Sequence, residues 1–188
     1  MTSTCASTSS PSSFRAVATM QRLGVRVWFT SAAAACAEAA WLRSDADAVQ
    51  SAVAPALAHA VSIGDAWRAG ELAAWLARSG GAVPQEPRPP LAGPYALEAA
   101  GRVRAAADAW GRLGCTYEQA LALSCGDEEC LREALQRCAQ LGAEPAAEVM
   151  RRRLRARGVR GVQRGPQPRT RIDPHGLTAR ERQVFELL

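Results

Sequence analysis

An aliphatic residue followed by glycine recurs along this chain, at Leu23-Gly24, Ile63-Gly64, Leu113-Gly114 and Leu141-Gly142. Glycine placed just after an apolar-periodic stretch stops a helix, because it accepts the left-handed backbone that closes the last turn. The last two pairs lie 28 residues apart, which is room for a helix, a turn and a second helix. That is the grammar of a degenerate helix-turn-helix repeat, in which each unit buries its apolar face against its neighbours in an α-solenoid. The fold class expected is therefore all-α.

The spacing predicts helices over residues 31–43, 46–63, 66–79, 94–112, 116–124, 127–141 and 144–157. Abundant alanine and few β-branched residues outside scattered valine favour helix over sheet. "GDEECLREALQRCAQLG" shows the pattern of one helix: Asp127 caps it, Glu128 and Glu129 suit its positive start, Leu131, Leu135, Cys138 and Leu141 form the stripe, and Gly142 ends it. In "WGRLGCTY", Trp110, Leu113, Gly114 and Tyr117 have the Trp-x2-Leu-Gly-x2-Tyr spacing of a tetratricopeptide repeat. Gly126 and Cys130 stand where that pattern has alanine and an aromatic residue, so the array is expected to be tetratricopeptide-like without a fixed register. Trp67, Trp75 and Trp110 are expected to pack between repeats, the usual place of a buried indole.

Composition changes mark the boundaries. Residues 1–30, opening with the Ser/Thr-rich "MTSTCASTSSPSS", are expected to be poorly ordered. The helical domain is expected over 31–157, interrupted at 80–93 by a loop within "SGGAVPQEPRPPLAGP", a stretch with five prolines. Residues 158–176 read as an Arg/Gly/Pro linker, and 177–188 as the start of another helix. "SAAAACAEAAWL" is too short, and broken by Glu38, to cross a membrane.

All 23 basic residues are arginine. Without lysine there is neither a Walker-type phosphate lysine nor a Schiff-base lysine. Eleven arginines from 151 to 188 face only Asp173, Glu181 and Glu186, a net of +8 that leaves −3 on the first 150 residues. Arg160, Arg164, Arg169, Arg171 and Arg180 are thus candidate contacts to DNA phosphates, against the plainer reading of a solvated linker. The six cysteines lack CxxC spacing and a secretory signal precedes none of them, so reduced buried thiols in a cytoplasmic protein are expected, with no metal site. His59 and His175 have no partner by spacing, and no catalytic constellation is visible, so neither enzymatic activity nor a cofactor is expected.

The last sixteen residues, "DPHGLTARERQVFELL", open a helix with a capping box, Thr178 and Glu181, and give it the apolar spacing Val184, Leu187, Leu188. "GLTARERQVFELL" resembles the first helix of the LuxR-type helix-turn-helix domain, which reads Leu-Thr-x-Arg-Glu-x-Glu-Val-Leu. Leu177, Thr178, Arg180, Glu181, Val184, Leu187 and Leu188 match, while Gln183 and Phe185 depart from it. The segments "GDAWRAGELAAWLARSGG", "PYALEAAGRVRAAADAWGRLGCTYEQALALSCGD" and "RRRLRARGVRGVQRGPQPRTR" resemble, in order, the region before the DNA-binding domain of large ATP-binding, maltose-regulator-like LuxR-type regulators.

The resemblance implies a transcription regulator in which an ATPase precedes the helical array and a recognition helix follows Leu188. This chain has no Gly-x4-Gly-Lys-Ser/Thr, so the ATPase is not in it. Leu177, Thr178, Glu181, Val184, Leu187 and Leu188 would cap and pack the first helix, a scaffold element, so DNA binding by this chain is expected to be non-specific. The concave face of such an array would take a protein or small-molecule effector. The alternative is a free-standing tetratricopeptide-like interaction module whose last helix docks back on it.

Overall fold

A computed structural model describes residues 26–83, 91–162 and 183. Among them the chain forms eight helices: α1 (Arg26–Leu42), α2 (Ala46–Ser62), α3 (Ala66–Arg78), α4 (Gly93–Ala99), α5 (Val103–Arg112), α6 (Thr116–Leu123), α7 (Glu128–Gln140) and α8 (Glu144–Ala156). They pack in sequence, each against the next, as a repeat-like helical array.

One turn, used repeatedly, produces this order. After α2 the N–H of Asp65 donates to the carbonyl of Ala60 at 2.9 Å, with Gly64 at φ +70° between the two helices. The same closure joins Cys115 to Trp110 after α5 and Ala143 to Cys138 after α7. It satisfies a terminal carbonyl that would otherwise lack a partner. At two turns the donor also opens the following helix: Asp45 accepts from Ala48 N–H and Asp65 from Arg68 N–H, both at 3.0 Å. Stop and start signals thus share one residue, and successive helices fold back on each other.

The structure differs from the sequence expectation in three places. The helix expected over 94–112 is two helices, because Gly101 adopts φ +69° and Arg102 N–H closes on the carbonyl of Leu97. At the three pairs within the described residues the aliphatic partner belongs to the turn and not to the stripe: Ile63, Leu113 and Leu141 are exposed. Finally, α1 begins at Arg26, ahead of the expected start at 31.

The core is continuous from Phe29 to Leu154, with Leu72, Trp110, Leu131 and Met150 among its fully buried side chains. Alanines such as Ala33, Ala37, Ala56, Ala60, Ala69 and Ala134 line the helix contacts, and their small size allows close approach. The array does not run straight: α1 also packs on α3, and α8 returns to α1. Among the described residues no helix is long and apolar enough to cross a membrane.

Candidate ligand cleft and the arginine closure

The inner side of the curl is a cleft of about 230 Å³. Ser31, Ala34, Ala35 and Glu38 line it from α1, and Arg68, Glu71, Trp75 and Arg78 from α3. Both sets follow the three-and-four spacing of one helix face. Tyr95 from α4 and Tyr117, Glu118 and Leu121 from α6 complete it.

Its charges are partly matched. Arg68 Nη1 lies 2.7 Å from Glu71 Oε2. Arg78 holds Glu98 in a fork, with side chains 3% and 6% exposed, and Glu98 also accepts from the Trp110 indole N–H at 2.9 Å. The Arg78 guanidinium covers the Trp75 ring, 4.9 Å from its centroid. Across the curl, the Tyr117 hydroxyl donates to Glu38 at 2.7 Å, tying α6 to α1. Burial, with that hydrogen bond, pushes the Tyr117 phenol above its ordinary pKa.

Tyr95 is held by geometry on three sides. Its ring meets Trp110 edge-on at 4.9 Å and Trp67 at 5.4 Å, and the two indoles meet at 6.0 Å. On the third side it lies against Gly70, where a Cβ would come 2.7 Å from the Tyr95 Cβ. Tyr95 is 6% exposed, and its hydroxyl has no hydrogen-bond partner among the described residues. Of the three tryptophans expected in the core, Trp75 and Trp110 are buried; Trp67 stands at the edge of this cluster with 43% of its surface exposed.

The arginines of α8 close the array. Arg152 donates to the carbonyl of Leu42 at 2.8 Å, and Arg157 to that of Gly126 at 2.8 Å. Arg153 donates to the carbonyls of Arg78 and of Ser124 and lies over the Trp41 ring, 5.4 Å from its centroid. Leu42, Arg78 and Ser124 stand at the C-terminal ends of α1, α3 and α6, where unpaired carbonyls concentrate negative charge. Three helix ends therefore converge on one cationic helix. Arg151 pairs with Glu144 at 2.5 Å and Glu148 at 3.3 Å, and Arg155 pairs with Glu148 at 3.2 Å. Burial lowers the pKa of Arg153 from the usual arginine value, with Cys125 opposing.

Of the residues the sequence singled out for DNA contact, Arg160 is described and exposed. Arg164, Arg169, Arg171 and Arg180 lie outside the described residues, as do Leu177, Thr178, Glu181, Val184, Leu187 and Leu188; Gln183 is helical and exposed. Among the described residues, no group of three His, Cys, Asp or Glu side chains is arranged to hold a metal ion. Sequence reading missed Glu38, Tyr95, Glu98 and Glu118. The signal that could have found the cleft is the spacing of Arg68, Glu71, Trp75 and Arg78 along one face of α3, which the sequence reading did not use.

No protein-family model, curated protein or solved structure in the comparisons matches the chain.

Proposed function

We propose that this chain is the helical scaffold of a LuxR-type transcription regulator acting in the cytoplasm: a tetratricopeptide-like array that receives an effector in its inner cleft and carries an Arg-rich segment toward DNA. The order of parts carries this reading. An all-α array ends in α8, and "GLTARERQVFELL" follows with the capping box and apolar spacing of a LuxR-type first helix.

The geometry supports a division among the arginines. Those of α8 from Arg151 to Arg157 are engaged by carbonyls and carboxylates of the fold itself. The charge left to meet phosphate is then that of Arg160, Arg164, Arg169, Arg171 and Arg180. Contacts of this kind position a protein on DNA without reading bases. A second reading, a free-standing interaction module, draws support from the return of α8 to α1, which makes the array a self-contained unit.

Anisotropy titration of two unrelated labelled duplexes separates them. The regulator reading expects similar dissociation constants on both, on the order of 10⁻⁴ to 10⁻⁶ M near physiological salt and much tighter at low salt. Absence of binding at low salt would overturn it in favour of the interaction module. A strong preference for one duplex would overturn the proposal that its contacts to DNA are to phosphates and not to bases.

A further inference from the structure

We infer that Cys125 and Cys130 form a peroxide-sensitive thiol pair, which closes to a disulfide at the α6–α7 turn and loosens the hold of α8 on the array. Cys125 departs from the buried thiols expected from the sequence: of the five described cysteines it is the exposed one. It lies just past the C-terminal end of α6, with its sulfur 3.9 Å from the Ser124 hydroxyl and hydrogen-bonded to the Arg153 guanidinium. Arg157 donates to the carbonyl of the next residue, Gly126, at 2.8 Å. Exposure beside cationic side chains is the setting shared by thiols that react with peroxide.

Cys130 supplies the second thiol. It is the third residue of α7, 3% exposed, and its N–H is held by the Asp127 cap at 2.9 Å. Gly126 brings the pair together. A Cβ there would come 2.5 Å from the Cys130 Cβ and 2.7 Å from its sulfur, so the buried thiol packs directly against the residue bonded to Cys125. The φ of Gly126 is not in the left-handed region, so the close approach of Cys130, and not the backbone, requires glycine. Burial pushes the Cys130 thiol above its ordinary pKa, which keeps it protonated until it is exposed. The other described cysteines are placed elsewhere: Cys115 stands at the opposite end of α6, Cys36 on α1, and Cys138 deep in the core.

The reaction balances with hydrogen peroxide as the oxidant. The Cys125 sulfur attacks one peroxide oxygen, the O–O bond breaks, and water leaves as Cys125 becomes a sulfenic acid. The Cys130 sulfur then attacks that of Cys125, and the hydroxyl departs with the Cys130 proton as a second water. The two thiols have together given two electrons and two hydrogens to one peroxide. For the sulfurs to meet, Cys130 must leave the first turn of α7, which breaks the Asp127 cap, and Cys125 must leave Arg153. Arg153 also ties α8 to Arg78, Ser124 and Trp41, so the disulfide forms where the closure is held.

Mild peroxide treatment of the reduced full chain, followed by mass spectrometric mapping, tests this. Cleavage after Asp127, Glu128 and Glu129 should leave the Cys125 and Cys130 peptides joined until a reductant is added. Cys130→Ala should stop at a sulfenic acid on Cys125, trapped by dimedone, and Cys125→Ser should leave Cys130 reduced. The oxidised chain should melt at a lower temperature than the reduced one and recover on reduction, because so short a disulfide loop constrains the unfolded chain little while the cap and the Arg153 contact are lost. Cys125→Ser, at an exposed position, should fold and show no peroxide-induced shift. A first disulfide between other cysteines, a Cys125 oxidised no faster than Cys115, or an oxidised chain that melts at or above the reduced temperature would overturn the inference. None of these readouts involves DNA, so the duplex titration remains the separate judge of the regulator reading.

Discussion

The guanidinium of Arg78 and the carboxylate of Glu98 meet through three contacts, Nη2 at 2.9 Å from each oxygen and Nε at 3.1 Å from Oε2, almost sealed from solvent. Removing one partner of such a pair leaves a buried charge unmatched, which is far worse than removing both. Glu98→Ala should therefore lower the unfolding free energy by about 3–5 kcal/mol, since Trp110 also loses its acceptor. The double replacement Arg78→Met with Glu98→Leu should recover most of that loss. Urea denaturation of the three proteins measures both steps; a Glu98→Ala effect no larger than that of an exposed ion pair would contradict the burial described.

Glycine within a helix usually weakens it, by about 1 kcal/mol relative to alanine. Gly70 should show the opposite. An added Cβ would lie 2.7–2.9 Å from three atoms of Tyr95, close to its backbone end and hard to move aside. Gly70→Ala should destabilise by about 1–3 kcal/mol through this overpacking. Gly111→Ala meets only the end of the Gln119 side chain, at 3.0 Å, and should be neutral or stabilising. Thermal denaturation gives the sign of each change, and equal signs would show that Tyr95 does not rest on α3 as described.

The capping hydrogen bond from Cys130 N–H holds the Asp127 carboxyl below its ordinary pKa. A carboxylate depressed in the folded state contributes stability that is present above the unfolded pKa, near 3.9 for aspartate, and lost as pH falls through the lower folded value. Asp127→Asn keeps a cap acceptor but cannot titrate. Its urea midpoint should fall less than that of the unaltered protein between pH 5 and the acid side of that range, on the order of pH 2–3. Identical acid limbs would remove Asp127 from the account.

Local signals were legible in the chain and distant pairings were not. Asp127 at a helix start and Gly64, Gly114 and Gly142 at the turns follow from the preferences of single residues, so they can be read one at a time. Gly101 makes the same turn but follows Ala100 where the other pairs have an aliphatic residue, and the apolar period runs on through it. The cleft depends on contacts that no local pattern encodes. Glu38 and Tyr117 are 79 residues apart, and Arg78 and Glu98 face each other across a proline-rich interruption. The α8 arginines read as a charge run suited to phosphate; three of them, Arg152, Arg153 and Arg157, instead meet backbone carbonyls at or just past the ends of other helices, a fact set by tertiary packing alone.

Salt dependence tests the central division between arginines that hold the fold and arginines that meet DNA. Duplex binding should be followed over a salt series for the unaltered chain, for Arg164→Gln with Arg169→Gln and Arg171→Gln, and for Arg152→Gln with Arg155→Gln and Arg157→Gln. The first triple change should flatten the slope of log K against log salt by about three contacts' worth. The second should leave the slope unchanged while lowering the melting temperature, because those guanidiniums hold Leu42, Glu148 and Gly126. A slope lost with the α8 arginines and kept without Arg164, Arg169 and Arg171 would contradict the account.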